Sequence, residues 1–166
     1  AALAIHGMTG PTDEEKDYEA YWVAQFQYNP PIAYLAGADT VAKFCEAIPL
    51  LRLMSGSGLD SHVEQRWLEV FLQSRLPTGA LATPMNGRPW ARPEKPSTID
   101  LPGKRGWLGL PQSDQIVKIN FNGRALAAAT VYSLLGEKML WDEVARGIFQ
   151  GLQRLVVDRG DFAYMP

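Results

Sequence analysis

NFNGRALAAATVYSLLGEKMLWDEVARGIFQGLQRLVVDRGDFAYMP, residues 120–166, decides the architecture of this chain. Over 123–135 it places Ala, Leu, Val and Tyr on nearly every side of a helix, and a helix that is apolar all round is covered on both faces. Over 141–157 it carries one apolar stripe, Val144, Ile148, Leu152 and Leu155. The opposite side there holds Asp142, Glu143, Arg146, Gln150 and Gln153. The stretch therefore predicts a buried inner helix, a very short turn and a half-exposed outer helix.

The same unit occurs once before. A constant shift of 81 lays 43–82 over 124–163 and matches Lys43 with Arg124, Ala47 with Ala128, Leu53 with Leu134, Leu59 with Leu140, Val63 with Val144 and Gly79 with Gly160. The identities are few, but the order of features recurs: buried helix, turn, amphipathic helix, glycine stop, short apolar tail. Repetition of one supersecondary unit is a known way of building a continuous core.

The whole chain, 166 residues with a net charge of −2, is long enough for one domain with a proper core and is no polycation. Nucleic acid is not an expected partner. No run of about 18 apolar residues appears, so no membrane span is expected. Cys45, the single cysteine, lies on a buried-type helix and reads as packing. The chain opens inside an apparent helix and stops just after a repeat-terminal tail, which gives the expectation of a fragment of a longer protein.

Residues 1–8 read as the end of a helix stopped by Gly10-Pro11. TDEEKDYEAYWVAQFQYNPP, 12–31, reads as a further helix, capped by Thr12 or Asp13, with Glu14, Glu15 and Asp17 at its positive end and Pro30-Pro31 as its stop. An inner helix is expected over 37–54 with Asp39 as N-cap and a kink at Pro49. SGSG at 55–58 is its turn, and an outer helix capped by Asp60 or Ser61 runs to about residue 76. His62 falls on that helix's polar side. The interval 77–111 holds seven of the twelve prolines, which excludes a long helix or central strand. Its Arg88, Trp90, Arg92, Lys95, Lys104, Arg105 and Trp107 make it basic and aromatic, and loops of this length are functional or disordered.

Short turns join inner to outer helix, so the long returns, about 9–38 and 77–120, are expected to gather at the N-terminal end of the inner helices. Free backbone N–H groups and the helix dipole there favour anions and carboxylates. Carboxylates, flat aromatics and amides in such loops suit a carbohydrate, whose ring faces stack and whose hydroxyls need donors and acceptors. On this reading the substrate side chains are Trp22, Tyr28, Asn29, Arg88, Trp90, Trp107, Asn120 and Asn122. Zinc spacings, a phosphate loop, G-x-G-x-x-G and G-x-S-x-G are all missing from the sequence, so no metal and no cofactor is expected.

On the residues of 120–166 and their echo at 43–84, the chain resembles the six-hairpin, (α/α)-toroid glycosidase superfamily, which includes unsaturated glucuronyl hydrolases and β-L-arabinofuranosidases. The resemblance implies an all-α fold of repeated antiparallel hairpins, an arc of an (α/α)6 toroid. Residues 1–166 would form part of one such domain, with hairpins at about 38–76 and 121–157 and a Pro/Gly-rich loop at 77–120. It implies glycoside hydrolysis of an oligosaccharide or polysaccharide, and the remainder of the toroid as a partner. No diagnostic catalytic motif carries over, and a full toroid needs about six hairpins where this chain has room for two and part of a third. Toroid terpene cyclases and prenyltransferases fit less well, for want of an Asp-Asp-x-x-Asp run.

Such hydrolysis needs one protonated and one ionised carboxyl group. Asp39, at the start of an inner helix, is placed to stay ionised as base or nucleophile. Glu19, among Tyr18, Tyr21 and Trp22, is placed for burial and general-acid duty, and Asp114 can take either role. Two alternatives stand beside this: a lyase acting on uronate polymers through the basic loop, with His6 and His62 poorly placed as bases, and a non-catalytic helical-repeat scaffold.

Overall fold

The structure is a computed structural model that describes residues 1–25, 32–35, 38–82 and 117–165, with side chains for 1–21, 41–82 and 117–165. It is mostly helical. Helix α1 spans Ala2–Thr9, and strand β1 (Thr12–Asp13), a 3-10 turn (Glu14–Lys16) and strands β2 (Glu19–Gln25) and β3 (Ile32–Leu35) follow. Four longer helices come next: α2 (Ala38–Ser55), α3 (Ser61–Gln73), α4 (Ile119–Leu135) and α5 (Lys138–Gln153). Two-residue strands β4 (Val157–Asp158) and β5 (Ala163–Tyr164) close the described chain.

The four long helices fall in the predicted stretches, but α4 and α5 begin three to four residues early, and α3 and α5 stop at Gln73 and Gln153, short of the expected ends at about 76 and 157. Ala38 and Ile119, the first residues of α2 and α4, are 81 residues apart, so the inner helices begin in step. Both tails turn on a left-handed glycine, Gly79 (φ +92°) and Gly160 (φ +85°), related by the same shift. The correspondence fails at the tails, where Arg75 bridges Leu81 but Val157 pairs with Tyr164, and at the turns between the helices. The turn between α4 and α5 is shorter than that between α2 and α3, so α5 begins about one helical turn earlier relative to its partner.

The inner helices α2 and α4 pack on each other, and each packs on its own outer helix. Small side chains line the inner contact, Ala42 and Cys45 against Ala125, Ala128 and Ala129, all buried. Small residues let two helix backbones approach closely. The outer helices fill the remaining space with large ones: Trp67 and Phe71 from α3, Trp141, Val144 and Ile148 from α5. Phe71 sits edge-on to both Phe121 and Trp141, with ring centroids 6.4 and 5.9 Å away. Further along, Arg75 donates to Glu143 at 2.9 Å, and a Cβ on Gly151 would meet Ala80. These pairs climb together along both chains, so α3 and its tail run parallel to α5. Pro49 lies inside α2, where it removes the amide that would bond to the Cys45 carbonyl.

Residues 12–25 contain no α-helix. Asp17 and Tyr18 take left-handed backbone angles (φ 58° and 55°), which no right-handed helix contains. The aromatic and β-branched run Tyr21-Trp22-Val23 lies in β2, the middle strand of a three-stranded antiparallel sheet in the order β1-β2-β3. The acids expected to line a helix N-terminus work otherwise. Asp13 accepts from Lys16 Nζ at 2.5 Å and Tyr21 Oη at 2.8 Å, and Asp17 accepts from Arg66 Nη2 at 2.7 Å.

Asp60 departs from expectation too. It stands before α3 with a left-handed backbone (φ 51°) and makes no side-chain cap. Its carboxylate instead accepts from the Thr9 hydroxyl at 2.6 Å and meets His6 Nδ1 at 3.3 Å. The C-terminus of α1 is thereby fixed beside the turn between α2 and α3, opposite the end where the inner helices begin. The return from residue 9 therefore starts at that turn and climbs along α3.

Candidate functional site

Of the three candidate catalytic residues, Glu19 is fully described. It opens β2, paired across from Asp13, and is only 3 % exposed. Its burial matches the expectation set by its aromatic neighbours. The backbone before it is held to α3 by two contacts: the Trp67 indole N–H donates to the Tyr18 carbonyl at 2.7 Å, and the Tyr18 ring stands edge-on to His62 at 5.4 Å.

Asp39 is the second residue of α2 and not the residue before it, so it belongs to the first turn of the inner helix. The β2/β3 ribbon connects the two acids. Tyr21 pairs with Leu35, so β3 ends where β2 begins, and α2, whose second residue is Asp39, starts three residues after Leu35. In addition β2 packs against α2. The Asp39 carboxyl lies outside the described side chains, as does the indole of Trp22, whose backbone is in β2. Asp114, Tyr28, Asn29, Arg88, Trp90 and Trp107 lie outside the described residues.

The two amides at the start of α4 have separate fates. Asn120 is exposed, and its side-chain oxygen accepts from the Phe121 N–H at 2.9 Å. Asn122 is 0 % exposed. Its oxygen accepts from the Leu81 N–H at 2.7 Å, and its amide donates to the carbonyls of Leu81 at 2.8 Å and Lys118 at 3.0 Å. Both amide protons are committed to backbone, and no surface remains for a sugar. What Asn122 does in this fold is clamp the tail of α3 to the head of α4.

A second polar cluster joins three helices at the other end. Arg52 of α2 donates through Nε to Glu64 of α3 at 2.5 Å. Its Nη1 donates to the carbonyls of Ser57 and Leu59, both at 2.9 Å. Tyr132 of α4 donates its hydroxyl to the other Glu64 oxygen at 2.5 Å. Burial raises the Tyr132 phenol pKa far above the ordinary value and raises that of the neighbouring Cys45 thiol as well. Both groups stay protonated, so this is a structural knot and not a reactive centre. Its one signal in the sequence is Glu64 beside Val63, on the edge of the outer helix's apolar stripe.

A third feature is a surface cleft of about 380 Å³ at the turn between α4 and α5, lined by Thr130, Ser133, Leu134, Lys138, Asp142, Ala145 and Arg146. Asp142 accepts from Lys138 Nζ at 2.7 Å and from the Ser133 hydroxyl. The Lys138 bond, then the Ser133 bond, hold its carboxyl below the ordinary range.

Among the described residues no helix is long and apolar enough to cross a membrane, and no group of three His, Cys, Asp or Glu side chains could hold a metal. Compared with known proteins, the chain matches no family model, no curated protein and no solved structure.

Proposed function

We propose that the chain belongs to a carbohydrate-active protein built of repeated helical hairpins, an arc of an (α/α)6 toroid, that hydrolyses glycosides with a carboxylic acid/carboxylate pair. The observation that carries this reading is the packing of β2, which opens on the buried Glu19, against α2, whose first turn holds Asp39. Glu19, the buried carboxyl, is assigned general-acid duty, and Asp39, in the first turn of α2, the role of base or nucleophile. Asp114 is the third carboxyl offered to either role. Trp22, Tyr28, Asn29, Arg88, Trp90, Trp107 and the exposed Asn120 supply aromatic faces and polar groups for an oligosaccharide or polysaccharide.

The uronate-lyase reading draws less support, because His6 meets Asp60 and His62 stands against Tyr18, both beside α3. The scaffold reading draws on the engagement of Asn122 in the fold itself.

The test is hydrolysis of a panel of oligosaccharides by the full-length protein and its Glu19→Gln and Asp39→Asn variants. General acid–base catalysis contributes about 10²–10⁴-fold, so kcat should fall by that order in each variant with thermal stability kept. Hydrolysis at the parent rate in both variants overturns the assignment.

A further inference from the structure

Asn122, the side chain that clamps the two hairpins, is followed by Gly123, and the sequence has one other Asn-Gly step, Asn86-Gly87. Asn-Gly is the peptide step most prone to deamidation. The nitrogen of the following residue attacks the asparagine Cγ, and glycine, with no Cβ, leaves that approach open. The attack closes a five-membered succinimide ring and expels the side-chain nitrogen as ammonia. Water then opens the ring at either carbonyl. The product is aspartate, or isoaspartate with the main chain rerouted through the side chain. Water is the only co-reactant, and nothing is oxidised or reduced.

The fold closes this route at 122 in two separate ways. Gly123 is the fifth residue of α4, so its N–H belongs to the helical ladder and the ring cannot close without leaving the helix. Asn122 is also pinned: its oxygen accepts from the Leu81 N–H at 2.7 Å, and its nitrogen donates to the carbonyls of Leu81 at 2.8 Å and Lys118 at 3.0 Å. The nitrogen that would leave is therefore the one that holds both carbonyls. At 0 % exposure the side chain is shut away from water as well.

The product cannot take the place of Asn122. An aspartate has no donor to offer, so a carboxylate oxygen would face the Leu81 and Lys118 carbonyls, acceptor against acceptor, in a fully buried site. An isoaspartate adds a methylene to the main chain and breaks the ladder near the start of α4. Packing does not demand the glycine that makes the step labile. Gly123 is exposed, and a Cβ there would meet no atom within 4 Å. Alanine, the better helix former, fits the same place.

We propose that Asn122-Gly123 is a deamidation site that the fold keeps closed and unfolding opens, so that time spent unfolded becomes permanent loss of the clamp between the hairpins. Opening of the α3 tail and the first turns of α4 is enough to expose it, without global unfolding. Once the side chain is converted, the chain does not return, and lifetime is set by how often and how long this region opens. The inference rests on the clamp and does not need the glycosidase reading.

The experiment incubates the full-length protein in mildly alkaline buffer, folded or in urea, and reads deamidation at 122 by peptide mass spectrometry. Asn86 heads the same tripeptide, Asn-Gly-Arg, as Asn122 and reports the unprotected chemistry in urea. Deamidation at 122 should be at least about tenfold slower in the folded protein than in urea. On dilution from urea, the refolded fraction should retain Asn122 while the converted chains collect in the fraction that fails to refold. Gly123→Ala should slow conversion at 122 in urea by at least about tenfold, leave Asn86 unchanged and preserve the refolding yield. Equal rates at 122 in the folded protein and in urea overturn the proposal. So do converted chains that refold in the same proportion as intact ones, or a Gly123→Ala yield that falls as fast as the parent's.

Discussion

Asn122 grips Leu81 by both of its backbone polar groups, across 41 residues of chain, and the pair is fully buried. Removing the amide leaves a buried N–H and a buried C=O without partners, each costing about 1–3 kcal/mol. Asn122→Ala should therefore destabilise the chain by about 2–6 kcal/mol in urea unfolding. A variant as stable as the parent would show that the clamp does not hold the hairpins together.

The Arg52–Glu64–Tyr132 knot makes a different prediction. Tyr132→Phe deletes one hydroxyl and leaves one Glu64 oxygen bare, a loss of about 1–2 kcal/mol. Arg52→Met leaves a largely buried carboxylate without its cation and should cost more, about 3–5 kcal/mol. Replacing Arg52 and Glu64 together should cost less than Arg52→Met alone. A double-mutant cycle with additive losses would contradict the network.

Two glycines on one helix should respond oppositely to alanine. A Cβ on Gly151 would stand 2.3 Å from the Ala80 nitrogen, with Ala80 Cα and Cβ at 2.8 Å. Overpacking of this kind costs about 1–3 kcal/mol. At Gly147 the nearest atom would be 3.6 Å away, an ordinary contact. Gly147→Ala should be neutral or stabilising by up to about 1 kcal/mol through helix propensity. Thermal melts of the two variants check this, and equal melting points would contradict the close approach of the α3 tail to α5.

Asp60 ties α1 to the head of α3, and the Thr9 hydroxyl, followed by His6, holds its carboxyl below the ordinary value of 3.8. A depressed folded-state pKa means that the contact's stability is fully present above about pH 4 and is lost as pH falls through the folded value. Amide exchange of residues 2–9 should accelerate below pH 4 before that of α4. Asp60→Asn should remove this acid-sensitive step, and its persistence would assign the step to another carboxylate.

The helices were legible because their apolar spacing and glycine stops agree with the way they pack. Alanines on every side of α4 announced an inner helix, although its last two residues, Leu134 and Leu135, are 77 % and 45 % exposed. Residues 12–25 misled because acids ahead of an aromatic run look the same in a helix's first turn as in a turn before a strand. What decides is the left-handed pair Asp17-Tyr18, held by Arg66 and Trp67 far along the chain. The candidate site divides similarly. The burial of Glu19 followed from its neighbours, whereas an amide such as Asn122 reads alike whether it faces a sugar or a backbone. Gly147 and Gly151, four apart on one side of α5, were the missed sign of a close backbone approach.

The central claim is that α2 and α4 lie side by side, in parallel and in step by 81 residues. Cysteine pairs test it most directly, with a short bifunctional maleimide and with Cys45 buried out of reach. The exposed positions Lys43 and Arg124, and Met54 and Leu135, are each related by that shift. Neighbouring helix axes lie about 8–10 Å apart, so the account predicts efficient cross-linking within both pairs and none between Lys43→Cys and Leu135→Cys, about 16 Å further along the axis. Cross-linking of Lys43→Cys to Leu135→Cys, with neither matched pair reacting, would make the helices antiparallel and contradict the account.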